Sequence, residues 1–144
     1  MARRRPNAAP AAPPRWLAPM LATLATPGTV PAAWPVEPKL DGVRCLAVLD
    51  PARGVTLWSR NRREMTQTYL ELAEALASRA RAFGVLDGEI VAVGGGVGSF
   101  ARLQARMHVR DAREAQATGV GVEFWVFDAP WWDGVDLRAR PWRE

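Results

Sequence analysis

At 144 residues, 49% of them hydrophobic and 24% charged, the chain has the length and composition of one domain with its own core, which excludes wholesale disorder. A net charge of +4 and a pI near 10.5 favour a polyanionic partner such as nucleic acid or a nucleotide, with four of the cations (Arg3, Arg4, Arg5 and Arg15) crowded into the first fifteen residues. The one cysteine, Cys45, excludes an internal disulfide, no apolar stretch approaches a membrane span, and no secretory segment follows the first arginines, so a cytoplasmic protein is expected.

Residues 1–14 are arginine, alanine and proline without periodicity and read as a disordered tail, leaving 15–144 as the folded part. Leu17 to Ala22 and a proline-rich connection to Trp34 follow. Val43 to Leu49 is an apolar run of strand length, which makes Cys45 a buried structural thiol. Asp50-Pro51-Ala52-Arg53-Gly54 supplies turn chemistry, and Val55 to Ser59 begins a second strand, so the pair predicts a hairpin. Thr68 with Glu71 three residues on predicts a capping box, and Leu72, Leu76 and Ala80 with Tyr69, Ala73 and Ala77 form the apolar stripe of the helix behind it. Val85 to Val93 reads as a strand interrupted at Asp87-Gly88-Glu89, with Asp87 a turn residue. Ser99 reads as the cap of a short helix carrying Phe100, Leu103 and Met107 on one face. Val120 to Phe127 alternates, with Val120, Val122, Phe124 and Val126 on one side and Gly121, Glu123, Trp125 and Phe127 on the other. The order β-β-α-β-α-β with hairpins predicts an α+β domain.

Three patterns carry no chemistry. Gly94-Gly95-Gly96-Val97-Gly98 lacks a following Gly-Lys-Ser/Thr and reads as a hairpin tip. His108 has no partner at zinc-ligand spacing, and there is no Gly-x-Ser-x-Gly elbow. The informative pattern is Lys39, the only lysine beside eighteen arginines, within Glu37-Pro38-Lys39-Leu40-Asp41-Gly42-Val43-Arg44. Arginine serves most basic roles as well as lysine does, but it does not readily lose its proton and attack an electrophile. A lone lysine in a Lys-x-Asp-Gly turn is therefore either a nucleophile or an ordinary surface residue in an arginine-biased chain.

Downstream lie Ser59-Arg60-Asn61, Leu86-Asp87-Gly88-Glu89, Ser99-Phe100 leading into Leu103-Gln104-x-Arg106, and Phe124-Trp125-Val126-Phe127-Asp128. With the lysine turn and Pro19-Met20-Leu21-Ala22, this series resembles the adenylation (nucleotidyltransferase) domain of ATP-dependent DNA ligases, notably bacterial ligases of the end-joining type, from about residue 17 onward. The resemblance implies an ATP-grasp-like domain of antiparallel sheets flanked by helices, incomplete at its C-terminus. It implies that Lys39 takes AMP from ATP as a phosphoramide, that Glu37 helps read the adenine, and that Phe127 stacks on it. Arg60 then contacts ribose and phosphate, Glu89 contacts ribose or binds Mg²⁺, and Asp41, Gly42 and Arg44 complete the nucleotide site.

An ordinary lysine is neutral at pH 7 in only roughly one copy in a few thousand. A nucleophilic role therefore asks for cations such as Arg44 and Arg60, Mg²⁺ and partial burial, against the opposing charge of Asp41. The implied partner is nicked or broken double-stranded DNA, met by a monomer that works beside end-joining repair proteins and away from membranes.

Two departures stand out. Arg62 occupies a position where the family usually has glycine, and a left-handed backbone there costs an arginine roughly a kcal/mol or more. The family's second metal-binding glutamate, its lysine pair on the phosphates and its OB-fold would all follow Glu144, so the chain reads as the front part of an adenylation domain. Two other readings stay open: an RNA ligase or capping-type nucleotidyltransferase, and a catalytically silent nucleotide- or DNA-binding remnant.

Overall fold

The computed structural model describes residues 13–26, 28–94 and 99–141; residues 1–12 of the expected tail and 95–98 of the glycine run lie outside them. Among the described residues the strands form one antiparallel sheet of order β2-β1-β3-β4-β5, with β1 Val43–Asp50, β2 Gly54–Ser59, β3 Gly84–Ala92, β4 Val122–Trp132 and β5 Val135–Asp136. The helices are α1 Leu70–Ala77, α2 Ser99–Leu103 and α3 Ala112–Ala117. The predicted β1–β2 hairpin forms where its turn chemistry lies. Asp50 Oδ1 accepts the N–H groups of Ala52 (2.9 Å) and Arg53 (3.2 Å), the Asx pattern that closes such a turn.

Alternation along β1 divides the molecule into two faces. Cys45, Ala47 and Leu49 join Val55, Leu57, Ile90 and Ala92 in the main core, closed by Tyr69 and Ala73 of the α1 region and Leu103 of α2. The predicted helical stripe does this work: Leu72, Leu76, Ala77 and Ala80 pack on the same cluster. Leu46 on the opposite face gathers Val85 and Leu17, flanked by Val48, Trp58 and Trp131. Cys45 is fully buried and free, and burial pushes its thiol well above the ordinary range, consistent with an inert structural role.

The structure corrects several expectations. Asp87 is no turn residue, since β3 runs uninterrupted and buries it to 4% exposure. The irregularity lies in the pairing with β4, whose register shifts on either side of Asp87. Gly88 serves that contact: a Cβ there would meet the Trp125 carbonyl and come within 2.6 Å of the Phe124 ring.

The capping box at Thr68 does not form. Thr68 Oγ1 donates to the Val109 carbonyl (2.6 Å), and Glu71 is drawn to Arg106 (2.7 Å). Arg106, 2% exposed, also donates from Nε and one terminal nitrogen to the Thr68 carbonyl (2.9 and 2.7 Å) and from the other to the Val120 carbonyl (2.8 Å), with Tyr69 beneath it at 5.4 Å. A buried guanidinium needs such partners, and its demand outweighs a helix cap. Ser99 is the first described residue of α2, and its Oγ accepts the Ala92 N–H (2.8 Å), pinning α2 to β3.

Candidate active site

The segment from Glu37 to Asp41 has no regular secondary structure and delivers Lys39 to the start of β1. Glu37, Lys39 and Asp41 are all exposed, so the partial burial expected of the lysine is absent. Gly42 fixes where the segment docks: a Cβ on it would strike the Ile90 carbonyl oxygen and lie 2.9 Å from the carbonyl carbon. Only glycine allows the turn to press against β3 this closely.

That close approach has an electrostatic result. Arg44, the Gly42 backbone and Lys39 all favour the ionised form of Glu89. Burial nevertheless dominates and raises the Glu89 pKa above its ordinary value. Glu89 pairs with Arg44 across β1 and β3, so their side chains share the face opposite the main core. Arg44 makes a two-pronged ion pair with Asp87 (Nε–Oδ1 2.6 Å, a terminal nitrogen to Oδ2 2.8 Å) and donates to the Met20 carbonyl (3.4 Å). Its guanidinium also lies 4.6 Å from the Phe127 ring centroid. Asp87 raises the Arg44 pKa further, against the effect of burial.

Gly42, Arg44, Arg60 and Glu89 line a cleft of about 1330 Å³ at the end of the sheet where β1 starts and β2 finishes. Lys39 and Phe127 are not among the lining residues: Lys39 lies near enough to Glu89 to favour its ionised form, and Phe127 contacts Arg44. Glu37 and Asp41 remain on the exposed approach, and Asp41 immediately precedes Gly42. The sequence reading gave Asp87 no part in the site, dismissed His108 as a zinc ligand, and did not single out Arg63 and Arg110, which with His108 line the cleft. Asp87 was detectable, because residues two apart on a strand share a face and Glu89 was already singled out. This part of the lining arises from the α2–α3 connection meeting the turn after β2, a long-range juxtaposition that local spacing does not reveal.

Among the described residues, no three His, Cys, Asp or Glu side chains cluster as a metal cage. Mg²⁺ is commonly held through one or two carboxylates plus substrate phosphates, and Glu89 suits such a partial site. Asp87 is committed to Arg44.

Residues 19–144 match the family model described as the ATP dependent DNA ligase domain. The chain belongs to the ATP-dependent DNA ligase family. Similar ligases include the multifunctional non-homologous end joining protein LigD of Mycobacterium bovis, 41% identical over 130 residues, covering 89% of this chain and 16% of that protein. DNA ligase C of Mycobacterium tuberculosis is 34% identical over 136 residues, covering 94% of this chain and 37% of the relative.

Among solved structures, the ligase domain of M. tuberculosis LigD superposes with a TM-score of 0.54 at 34% identity, over 74% of this chain and 32% of that one. A mycobacterial DNA ligase D complexed with ATP and MES matches with the same TM-score at 32% identity, again over 74% and 32%. The antiparallel sheet with its few helices is thus the ligase-domain fold, and this chain spans only a minor part of each relative's length. No helix among the described residues is long and apolar enough to cross a membrane.

Proposed function

We propose that the chain carries the nucleotide-activating half of an ATP-dependent DNA ligase that seals nicks or broken ends in DNA repair and recombination. One observation carries this reading: the only lysine lies in the turn that Gly42 seats against β3, near enough to Glu89 to favour its ionised form, while Gly42, Arg44, Arg60 and Glu89 line one cleft.

In the proposed reaction the Lys39 Nζ lone pair attacks the α-phosphorus of ATP. A phosphorus–nitrogen bond forms, the bond to the bridging oxygen breaks, pyrophosphate leaves, and the amine proton passes to solvent. The AMP then moves to a 5′-phosphate of DNA, and a 3′-hydroxyl displaces it. Arg44 and Arg60 offset the charge that builds on the phosphates. Glu37 accepts the adenine amino group, while Phe127, with Arg44 on one face, offers the other to the ring, a contact worth about 1–3 kcal/mol. Asp41 and Gly42 set the lysine turn against β3. Glu89 would hold Mg²⁺ together with the nucleotide phosphates, where the ion would supply charge stabilisation on those oxygens.

The experiment is incubation with α-labelled ATP and Mg²⁺ followed by denaturing separation. A covalent adduct that disappears in Lys39→Ala and in Lys39→Arg is expected, with little or no multiple-turnover sealing by these 144 residues alone. An adduct formed from GTP in preference to ATP would favour the capping-type reading. No adduct, with nucleotide or DNA binding unchanged in Lys39→Ala, would favour the silent remnant.

A further inference from the structure

Arg62 does adopt the left-handed backbone, at φ 59°, in the place where the family's glycine would sit without strain. Its side chain contributes a contact glycine cannot make: the guanidinium lies 5.8 Å from the ring centroid of Trp16. The same indole donates its Nε1–H to the Ser59 carbonyl (3.5 Å), so Trp16 is held at two points by one turn. That turn is itself closed, with the Ser59 N–H on the Arg63 carbonyl (2.8 Å), the Arg62 N–H on the Ser59 carbonyl (3.0 Å) and the Arg63 N–H on Ser59 Oγ (3.0 Å). Arg60 and Asn61 stand at its tip and line the cleft.

From Trp16 the chain continues through buried Leu17 and the Met20 carbonyl, which accepts from Arg44, to Leu21 and Ala22, which form part of the cleft wall. Met20 and Leu21 are 85% and 64% exposed, so between Leu17 and Ala22 little apolar burial keeps the strap in place.

We propose that Arg62 is a positioning residue for nucleotide binding: by stacking on Trp16 it holds residues 16–22 so that Leu21 and Ala22 wall the cleft opposite Arg60. This inference rests on the nucleotide-site reading above. A stack of this kind at a partly exposed site is worth about a two- to fivefold change in an equilibrium. The test uses the full chain and α,β-methylene-ATP, which binds without releasing a leaving group.

Arg62→Gly, which suits the left-handed turn, is expected to keep the parent's thermal midpoint or raise it, yet to bind the analogue two- to fivefold more weakly. Its amides over 16–22 are expected to exchange hydrogen two- to fivefold faster. Trp16→Ala should do the same, the double variant should be no worse than the weaker single one, and Arg62→Lys should restore most of the affinity. Unchanged affinity and exchange in Arg62→Gly, or effects that simply add in the double variant, would overturn the proposal. Should Trp16→Ala fail to fold, Trp16→Leu, which keeps apolar bulk but has no ring, is expected to match Arg62→Gly, and parent-like exchange there would overturn the role of the stack. If the unsubstituted chain binds no analogue at all, the nucleotide-site reading fails, while exchange over 16–22 still decides the contact between Arg62 and Trp16.

Discussion

Removing either partner of the Arg44–Asp87 pair should destabilise the chain, and removing the arginine should cost more. The Asp87 side chain is 5% exposed and the Arg44 side chain 25%, at a contact distance of 2.6 Å. Two unit charges about 4 Å apart attract by roughly 4 kcal/mol at an effective dielectric of 20, and desolvation offsets much of that. Asp87→Asn leaves a cation that can turn toward water and keep its place on Phe127, so a loss of about 1–3 kcal/mol follows. Arg44→Met strands a buried carboxylate with Glu89 and Asp128 close to the same guanidinium's position, so about 3–5 kcal/mol is expected. Urea unfolding followed by far-ultraviolet circular dichroism at pH 7 measures both. An asparagine variant less stable than the methionine variant, or a methionine variant within about 1 kcal/mol of the parent, would refute the argument that the Arg44–Asp87 pair supports the fold.

Gly42→Ala must push the lysine turn off the Ile90 backbone. A stability loss of about 1–3 kcal/mol is expected, with loss of the labelled AMP adduct on a denaturing gel. Arg106→Lys cannot reproduce a fork that reaches Thr68, Glu71 and Val120, and should cost about 2–4 kcal/mol in urea unfolding. Glu89 has its folded pKa raised by burial, so its ionisation relatively favours the unfolded chain: the associated stability is complete below the ordinary carboxylate range and is lost as pH rises through the folded value. Glu89→Gln should therefore raise the thermal midpoint at pH 7, with the gap closing as pH falls below about 4.5, while adduct formation declines.

Local chemistry made much of this architecture readable. The Asp50–Gly54 turn, the apolar stripe from Tyr69 to Ala80 and the alternation through Val122 and Phe124 each express a single dominant interaction, and each formed. Elements were overlooked where the signal was present but unread. Asp111 caps α3 by accepting the N–H groups of Arg113 and Glu114, a preferred N-cap chemistry. Asp133 and Gly134, both at positive φ, turn β4 into β5, and Asp-Gly is a strong hairpin signal. Pro130 obscured that extension of β4. It is tolerated there just past the shifted register, and its carbonyl accepts the Leu137 N–H.

At Thr68 and Asp87 local rules failed for a common reason. Each answers to an arginine distant in sequence, Arg106 or Arg44, whose burial could not be inferred before the fold was assembled. The candidate site divides in the same way. The lysine turn, Arg60 and Glu89 were singled out through their resemblance to the ligase family, whereas the wall formed by His108 and Arg110 depends on which loops the sheet brings face to face.

The exposed lone lysine has a practical corollary. A chain with a single ε-amine, three residues before cleft-lining Gly42, offers an amine-directed fluorophore one side-chain target, aside from the terminal amino group. An optical reporter can thus be installed close to the cleft without altering the sequence, and its quenching or shielding by added nucleotides would give a direct readout of occupancy.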